Sequence, residues 1–315
     1  MSTAINQVQL RAVGRASSDK KRHRVLLLLC TLACLLCALI LAYYGHEYYL
    51  SDQAHRPFSL MHPYLKPSGL IGLRLGMLGF TLFALVYIYP LRKRWAWLGR
   101  QGKTAHWLDF HVLLGLAAPT LITFHCSFKA QGFAGIAFWT MMALVVSGII
   151  GRYFYGQIPR SLGAAMMSLR EMEDLQTKLA RQLAEQKILP PSELERCLRL
   201  PDVEGVERMP VVQAALCMLK SNLALAPRIW RLRRSASGRW AALLSLGGIL
   251  PASNPELEKA VTTATKQAAL SRKILFLAKT QKVFHYWHVV HRPFSFTFAV
   301  LVLLHVTVAI LLGYY

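Results

Sequence analysis

Negative charge is scarce in this chain of 315 residues, because 15 acidic residues stand against 37 lysines and arginines. The sequence also lacks a Cys-x-x-Cys-His motif, which excludes covalently attached haem. Cys30, Cys34 and Cys37 share one face of an apolar helix, a spacing more typical of helix packing than of a zinc or iron–sulfur site. No glycine-rich loop follows a strand and opens a helix, so we expect no nucleotide-binding domain.

Apolar residues are abundant, at 54% of the chain against 17% charged, and they are concentrated in long runs. A helix needs about 20 apolar residues to cross the hydrocarbon core of a membrane. Five runs are long enough: residues 25–44, 69–90, 107–128, 132–151 and 293–312. The sequence therefore predicts an all-α, polytopic membrane helix bundle of five spans.

Lysine and arginine indicate how the spans are oriented, because short cytoplasmic loops hold the excess of both. The segment 1–24 is basic, and so is the loop around Arg92 and Arg94. The loop 45–68 has only two lysines or arginines, Arg56 and Lys66. We expect an integral protein of a bacterial inner membrane, with its N-terminus in the cytoplasm and its C-terminus outside. Topology then explains the net charge of +22, which favours membrane lipid and not nucleic acid as a partner.

Four parts follow from this topology. A basic cytoplasmic N-terminus covers residues 1–24, helices 1–4 cover 25–152, an insertion covers 153–284, and the fifth helix covers 285–315. Helical periodicity and helix-start signals at Pro191 and Pro255 predict that this cytoplasmic insertion is helical. Its segment 228–239 is basic around Trp230 and is expected on the membrane surface, and the apolar segment 240–251 is expected to dip into the interface.

Two pairs of histidines have the same spacing. His111 and His125 are 14 residues apart in the third apolar segment. His291, at the start of the fifth apolar segment, and His305, within that segment, are also 14 residues apart. Fourteen helical residues place two side chains about 40° apart on one face and roughly 21 Å apart along the axis. Imidazole is a common axial ligand of haem iron, and burying an ionisable residue in a bilayer is costly. The spacing therefore predicts two stacked, non-covalent b-type haems.

The predicted topology pairs these histidines. The third and fifth spans run in the same direction, so equal spacing places His111 level with His291, and His125 level with His305. Each pair forms a bis-imidazole site, with one site near each face of the membrane.

The assignment of His291 as a haem ligand has one alternative, at the cytoplasmic end of the fifth span. His288 lies about 100° from His305 around a regular helix, which turns it away from the site. Pro293 can start or kink the helix, however, and would then rotate the residues before it. His288 is therefore the alternative to His291 as ligand.

Other residues near these positions have two interpretations each. Glycines such as Gly72, Gly76 and Gly115 provide clearance for a flat cofactor or for ordinary helix packing. Arg74, inside the second span, binds a haem propionate or reaches the lipid phosphates. Arg292, adjacent to His291, is a second candidate for a propionate, although arginine is common at the interface.

The paired motifs, His111-x13-His125 and His291-x13-His305 with one span between, resemble the ferric-reductase-like transmembrane domain. This family includes NADPH oxidases, metalloreductases and the haem subunit of a bacterial methionine sulfoxide reductase. The resemblance covers residues 69–151 and 284–315. It implies four haem ligands at the matching histidines and membership of an oxidoreductase system. The long insertion and the absence of a flavin domain after the last span depart from the family pattern.

These observations predict transmembrane electron transfer through two haems b. Electrons would pass between a donor or quinone inside and an acceptor outside, or in reverse, and a separate protein would dock on the insertion as donor or acceptor. The competing class is a non-redox helical membrane protein, such as a transporter or an assembly scaffold, in which histidines relay protons. No acidic residue lies beside the four histidines within the apolar segments, and Asp109 is placed at the interface.

Overall fold

The computed structural model describes residues 2–158, 169–186, 188–236 and 255–314, and all regular structure in these ranges is helical. Short turns join most successive helices, including a 3₁₀ turn at Arg56–Phe58 between the first two. The helices before the insertion are α1 (Ser2–Leu50), α2 (His62–Leu65), α3 (Leu70–Val86), α4 (Ile88–Arg92), α5 (Ala96–Gly99), α6 (Thr104–His125) and α7 (Gly132–Gln157). The remaining helices are α8 (Leu169–Ala184), α9 (Pro191–Leu198), α10 (Val203–Arg208), α11 (Val211–Leu223), α12 (Leu225–Ala236), α13 (Pro255–Leu275) and α14 (Leu277–Leu311).

Five helical segments in the described ranges are long and apolar enough to cross a membrane, which confirms the predicted five-span, all-α fold. They are Lys21–Leu50, His62–Arg92, Thr104–His125, Gly132–Gln157 and Leu277–Leu311. The third ends at His125 and not at the predicted residue 128, because Ser127 and Phe128 adopt positive φ angles of 50° and 59°. A left-handed backbone stops an α-helix, so His125 is the last helical residue.

The insertion between the fourth and fifth spans is helical, as predicted. Helices α9 and α13 begin at Pro191 and Pro255, the two positions with start signals. The fifth span starts well inside the insertion, at Leu277, and continues through Pro293 as one helix. Residues 237–254 lie outside the described ranges, and with them the whole segment 240–251 that is expected to enter the membrane interface.

The chain divides into two compact units, of which the first comprises Met1–Ile149 with His291–Tyr315. Its best-buried cluster joins α1, α3 and α6 through aromatic and aliphatic side chains. The buried members are Tyr48, Tyr49, Leu65, Leu75, Leu121 and Phe124. This cluster fixes the end of α6 that carries His125.

The same end is held by a buried arginine. Arg56 is 6% exposed and donates hydrogen bonds to the carbonyl oxygens of Tyr49 at 2.9 Å, Ser51 at 3.1 Å and Ser127 at 2.5 Å. Its guanidinium also lies 5.6 Å from the ring centre of Tyr48. Arg56 therefore ties the loop after α1 to the turn that ends α6.

The second unit, Ile150–Val290, has two apolar clusters. The larger one packs α8, α9, α12 and α13 around Cys197, Leu232, Val261 and Ala264. The smaller one packs α10 and α11 against the adjoining ends of α7 and α14, through Phe154, Val206, Met218 and Phe276.

Candidate functional site

Helix α3 holds both histidines of α6 through its backbone. The Nδ1 atom of His125 lies 2.8 Å from the carbonyl oxygen of Gly72, and the Nδ1 atom of His111 lies 3.1 Å from that of Val86. Gly72 and Val86 are themselves 14 residues apart, the same spacing as the two histidines. The antiparallel helices therefore meet in a register that serves both imidazoles.

The carbonyl at the His111 end is available for a local reason. In an α-helix the oxygen of Val86 would accept the N–H of the residue four positions later, which is Pro90. Proline has no N–H to donate, and α3 ends at Val86. The Val86 oxygen can therefore accept a hydrogen bond from His111 without a competitor at that position.

These hydrogen bonds fix which ring nitrogen carries the proton. A carbonyl oxygen only accepts, so Nδ1 of His111 and of His125 must donate. In the neutral imidazole the lone pair is then on Nε2, and neither Nε2 atom has a hydrogen-bond partner within the described residues. Histidines that bind metals are commonly oriented in this way, with one nitrogen bonded to a backbone carbonyl.

His125 also lies directly against Gly76. A Cβ atom added to Gly76 would be 2.7 Å from both Cε1 and Nδ1 of the ring, so only glycine allows this approach. Gly79 plays a packing role instead, because its added Cβ would meet Ile122. At Gly115 an added Cβ would meet nothing within 4 Å, so the structure shows no close neighbour there.

His305, the predicted second ligand of the haem at His125, lies on α14. The two imidazoles are within electrostatic range of each other. His305 is half-buried and makes no hydrogen bond among the described residues. An imidazole in an apolar span without a hydrogen-bonding partner is costly, and this is the environment expected for a residue that binds a ligand.

At the other end, His291 is oriented by the fourth span. Its Nδ1 lies 3.0 Å from the hydroxyl of Ser147 on α7, and its carbonyl accepts a hydrogen bond from Ser295 at 2.7 Å. Tyr87, the neighbour of the Val86 that binds His111, donates its hydroxyl proton to the Ser295 carbonyl at 2.5 Å. At the end of α3, Val86 therefore bonds His111 directly, and the adjacent Tyr87 is connected to His291 through Ser295.

The alternative ligand, His288, lies on the same continuous helix. It belongs to the second unit, where its ring is 5.9 Å from that of Trp287 and 6.3 Å from that of Phe284. Since α14 does not restart at Pro293, the large rotation that favoured His288 is not observed. His291 stays the predicted ligand.

The predicted propionate residues are both exposed. Arg74 lies about 200° around α3 from Gly76, so the structure does not bring it to the histidine side. Arg292 follows His291 on the outside of α14. A cation that the sequence reasoning missed is Lys93, which is within electrostatic range of His111 and 5.2 Å from the ring centre of Tyr89.

Two other groups near the histidines have partners of their own. The Cys126 thiol, next to His125, donates a hydrogen bond to the carbonyl of Thr123 at 3.3 Å. Asp109 pairs with His23, whose Nε2 lies 3.1 Å from the carboxylate, and His106 stacks on His23 at 3.7 Å between ring centres.

Among the described residues, no group of three or more His, Cys, Asp or Glu side chains is arranged to hold a metal ion. The chain matches no protein-family model, no curated protein and no solved structure. The geometry of the four histidines is therefore the basis for assigning a function.

Proposed function

We propose that this protein conducts electrons across a bacterial inner membrane through two b-type haems, bound by His125 with His305 and by His111 with His291. Electrons pass between a cytoplasmic donor or a quinone and an acceptor outside, or in the opposite direction. The observation that carries the proposal is the pair His125 and His305. One has its Nδ1 bonded to a backbone carbonyl, and the other has no hydrogen-bond partner in the described ranges.

The residues present fit a haem at each position. A bis-histidine haem needs two protein ligands only, so it requires no cluster of three or more metal-binding side chains. The histidines of all four positions are half-buried, so part of each side chain is accessible to a ligand. Gly76 provides the clearance at His125, and its added Cβ would clash with the ring.

The chain itself would orient the imidazole ligands and hold the haem propionates. Gly72 and Val86 hold the imidazoles of α6, and Ser147 holds that of His291. Lys93 supplies positive charge near His111, where it would neutralise a propionate. When bound, haem supplies one-electron chemistry through its iron.

The basic insertion supports the part of the proposal that concerns the partner protein. Its helices α9, α12 and α13 build a compact core, and we find no nucleotide-binding motif in its sequence. A separate electron-transfer protein with an acidic surface is the partner that its charge favours.

A proton-relaying membrane protein is the alternative function, and one cluster favours it. His23, His106 and Asp109 are in contact at one end of the bundle, a combination that can pass protons. Within this cluster the Asp109 carboxylate lies 3.1 Å from Nε2 of His23.

A reduced-minus-oxidised absorbance spectrum of the purified protein tests the proposal. We expect a low-spin b-type signal, a stoichiometry near two haems per chain, reduction by dithionite, and no oxidation of NADH or NADPH without a partner. His46→Ala is a suitable control, because His46 is exposed and bonds only its own helix, at the Tyr43 carbonyl. A folded preparation that binds no haem would refute the electron-transfer function and leave proton relay as the better assignment.

A further inference from the structure

Helix α11 carries an apolar stripe that nothing in the described chain covers. Val212 is 72% exposed, Leu216 55%, Leu219 39% and Leu223 67%. Their spacing of four, three and four residues places all four side chains within about 60° of one another around the helix. A continuous exposed apolar stripe of this kind is typical of a surface that contacts something else.

The opposite face of α11 packs against residues near the end of the fourth span. Ala214 and Met218 are buried, and Met218 packs with Phe154 of α7 and Phe276. Asn222 donates a hydrogen bond at 2.8 Å to the hydroxyl of Tyr153. Tyr153 and Phe154 come two and three residues after the apolar run 132–151 ends, and three helical residues rise about 4.5 Å. Helix α11 therefore packs close to the point where α7 leaves the hydrocarbon.

Charge within α11 and α12 has one sign. The stretch 211–236, which forms these two helices, contains five basic residues and no acidic residue. Lys220 and Arg231 are exposed and have no acidic partner within the described residues, and Arg234 is exposed beside the ring of Trp230. An apolar stripe flanked by lysine and arginine is the pattern of helices that lie in the interface of an anionic membrane.

We propose that α11 rests on the membrane surface, with Val212, Leu216, Leu219 and Leu223 in the headgroup region and Lys220 and Arg231 on anionic lipid phosphates. The two spans that flank the insertion tether the helix beside the bilayer, so the effective concentration of lipid is high. The surface docks the insertion on the membrane and is independent of whether haem is bound.

The test uses the full-length protein in bilayers, with native cysteines replaced and one nitroxide label at Leu216→Cys. Oxygen concentrates in lipid and a charged nickel chelate stays in water, so we expect an oxygen-to-nickel collision ratio several-fold higher than for a label at Thr177→Cys. Thr177 is the matched control, since it is exposed on α8 and bonds only its own helix. The difference should be larger in bilayers with anionic lipid than in purely zwitterionic ones.

Two further variants make each outcome decisive. The change of Lys220 and Arg231 together to glutamine should lower the ratio at Leu216 in anionic bilayers and leave the ratio at Thr177 unchanged. Equal ratios at the two labels would overturn the proposal. Spin–spin broadening between labelled molecules would overturn it in favour of a second copy, and a rise in nickel accessibility after deletion of residues 240–251 would assign the stripe to that segment of the same chain.

Discussion

Arg56 donates a hydrogen bond to the backbone carbonyl of Ser127, two residues after the last helical residue of α6, His125. A long-range contact of 71 residues in sequence thus closes the end of the helix that carries a predicted haem ligand. The contact is buried, and its donor is positively charged, so its loss leaves carbonyl groups without partners in an apolar environment.

Arg56→Ala should therefore lower the free energy of unfolding by about 4 kcal/mol or more, since it removes three hydrogen bonds from a charged group and each contributes about 1.5–3 kcal/mol. Thermal unfolding in detergent measures the change. Arg292→Ala is the matched control, because Arg292 occupies the same place in a repeated His-Arg-Pro-Phe-Ser string and is exposed. Equal destabilisation by the two substitutions would contradict the proposed role of Arg56 in holding the turn that ends α6.

Gly76→Ala should displace the imidazole of His125, because the added methyl carbon would be 2.7 Å from two ring atoms. We expect weakened or high-spin haem at the His125 end and an unchanged signal at the other. Optical and electron paramagnetic resonance spectra measure both. Gly156→Ala, on α7 with open space at its Cβ, should leave both signals intact. A normal spectrum for Gly76→Ala would argue against a haem on this face of His125.

His125→Ala and His305→Ala should each remove the same haem and retain the other, because one imidazole alone holds haem iron weakly or in a high-spin state. Haem content and the reduced-minus-oxidised spectrum of each variant provide the measurement. If the two variants lost different haems, the pairing by depth would be wrong.

Ser147→Ala should alter the haem at the His291 end, since Ser147 orients Nδ1 of that histidine at 3.0 Å. We expect a shifted reduction potential or spectrum in Ser147→Ala, complete loss in His291→Ala and a mild effect in His288→Ala. Thr140→Ala is the control, because Thr140 is half-buried two turns away on α7 and its hydroxyl bonds its own helix, at the Ile136 carbonyl. Loss of this haem only in His288→Ala would transfer the ligand role to His288.

The insertion should lose stability in alkaline solution through Cys197. Burial raises the pKa of this thiol above its usual 9.0, because the folded core disfavours the thiolate. Its contribution is therefore complete below pH 9.0 and is lost as the pH rises past that value towards the higher folded pKa. Chemical unfolding between pH 8 and 11 should show this slope in the native sequence and a smaller one in Cys197→Ala. An unchanged slope would place the alkaline sensitivity elsewhere.

The five spans and the helical insertion could be predicted because they depend on local properties. Apolar length identifies a span, and proline positions identify helix starts such as Pro191 and Pro255. The end of α6 at His125 could not be predicted, because it depends on the left-handed backbone of Ser127 and on the distant Arg56.

The candidate site shows the same division. The spacing of His111 and His125 is a property of one helix, whereas the groups that orient them, Gly72 and Val86, come from another. The position of Arg74 along the second apolar segment predicts its depth in the membrane but not which side of α3 it occupies. Arg56 and Arg292 share one pentapeptide and differ in burial, so local sequence alone did not distinguish them.

The matched separations of Gly72 to Val86 and of His111 to His125 restrict how the two helices can change length. One residue inserted between His111 and His125 would turn one histidine by about 100° relative to the other, and its carbonyl partner would then be out of reach. A compensating insertion in α3 would restore the count, and one placed between Gly72 and Gly76 would also turn Gly76 away from His125. A change of length in either helix alone therefore breaks one of the two hydrogen bonds, and homologous chains should align here without gaps.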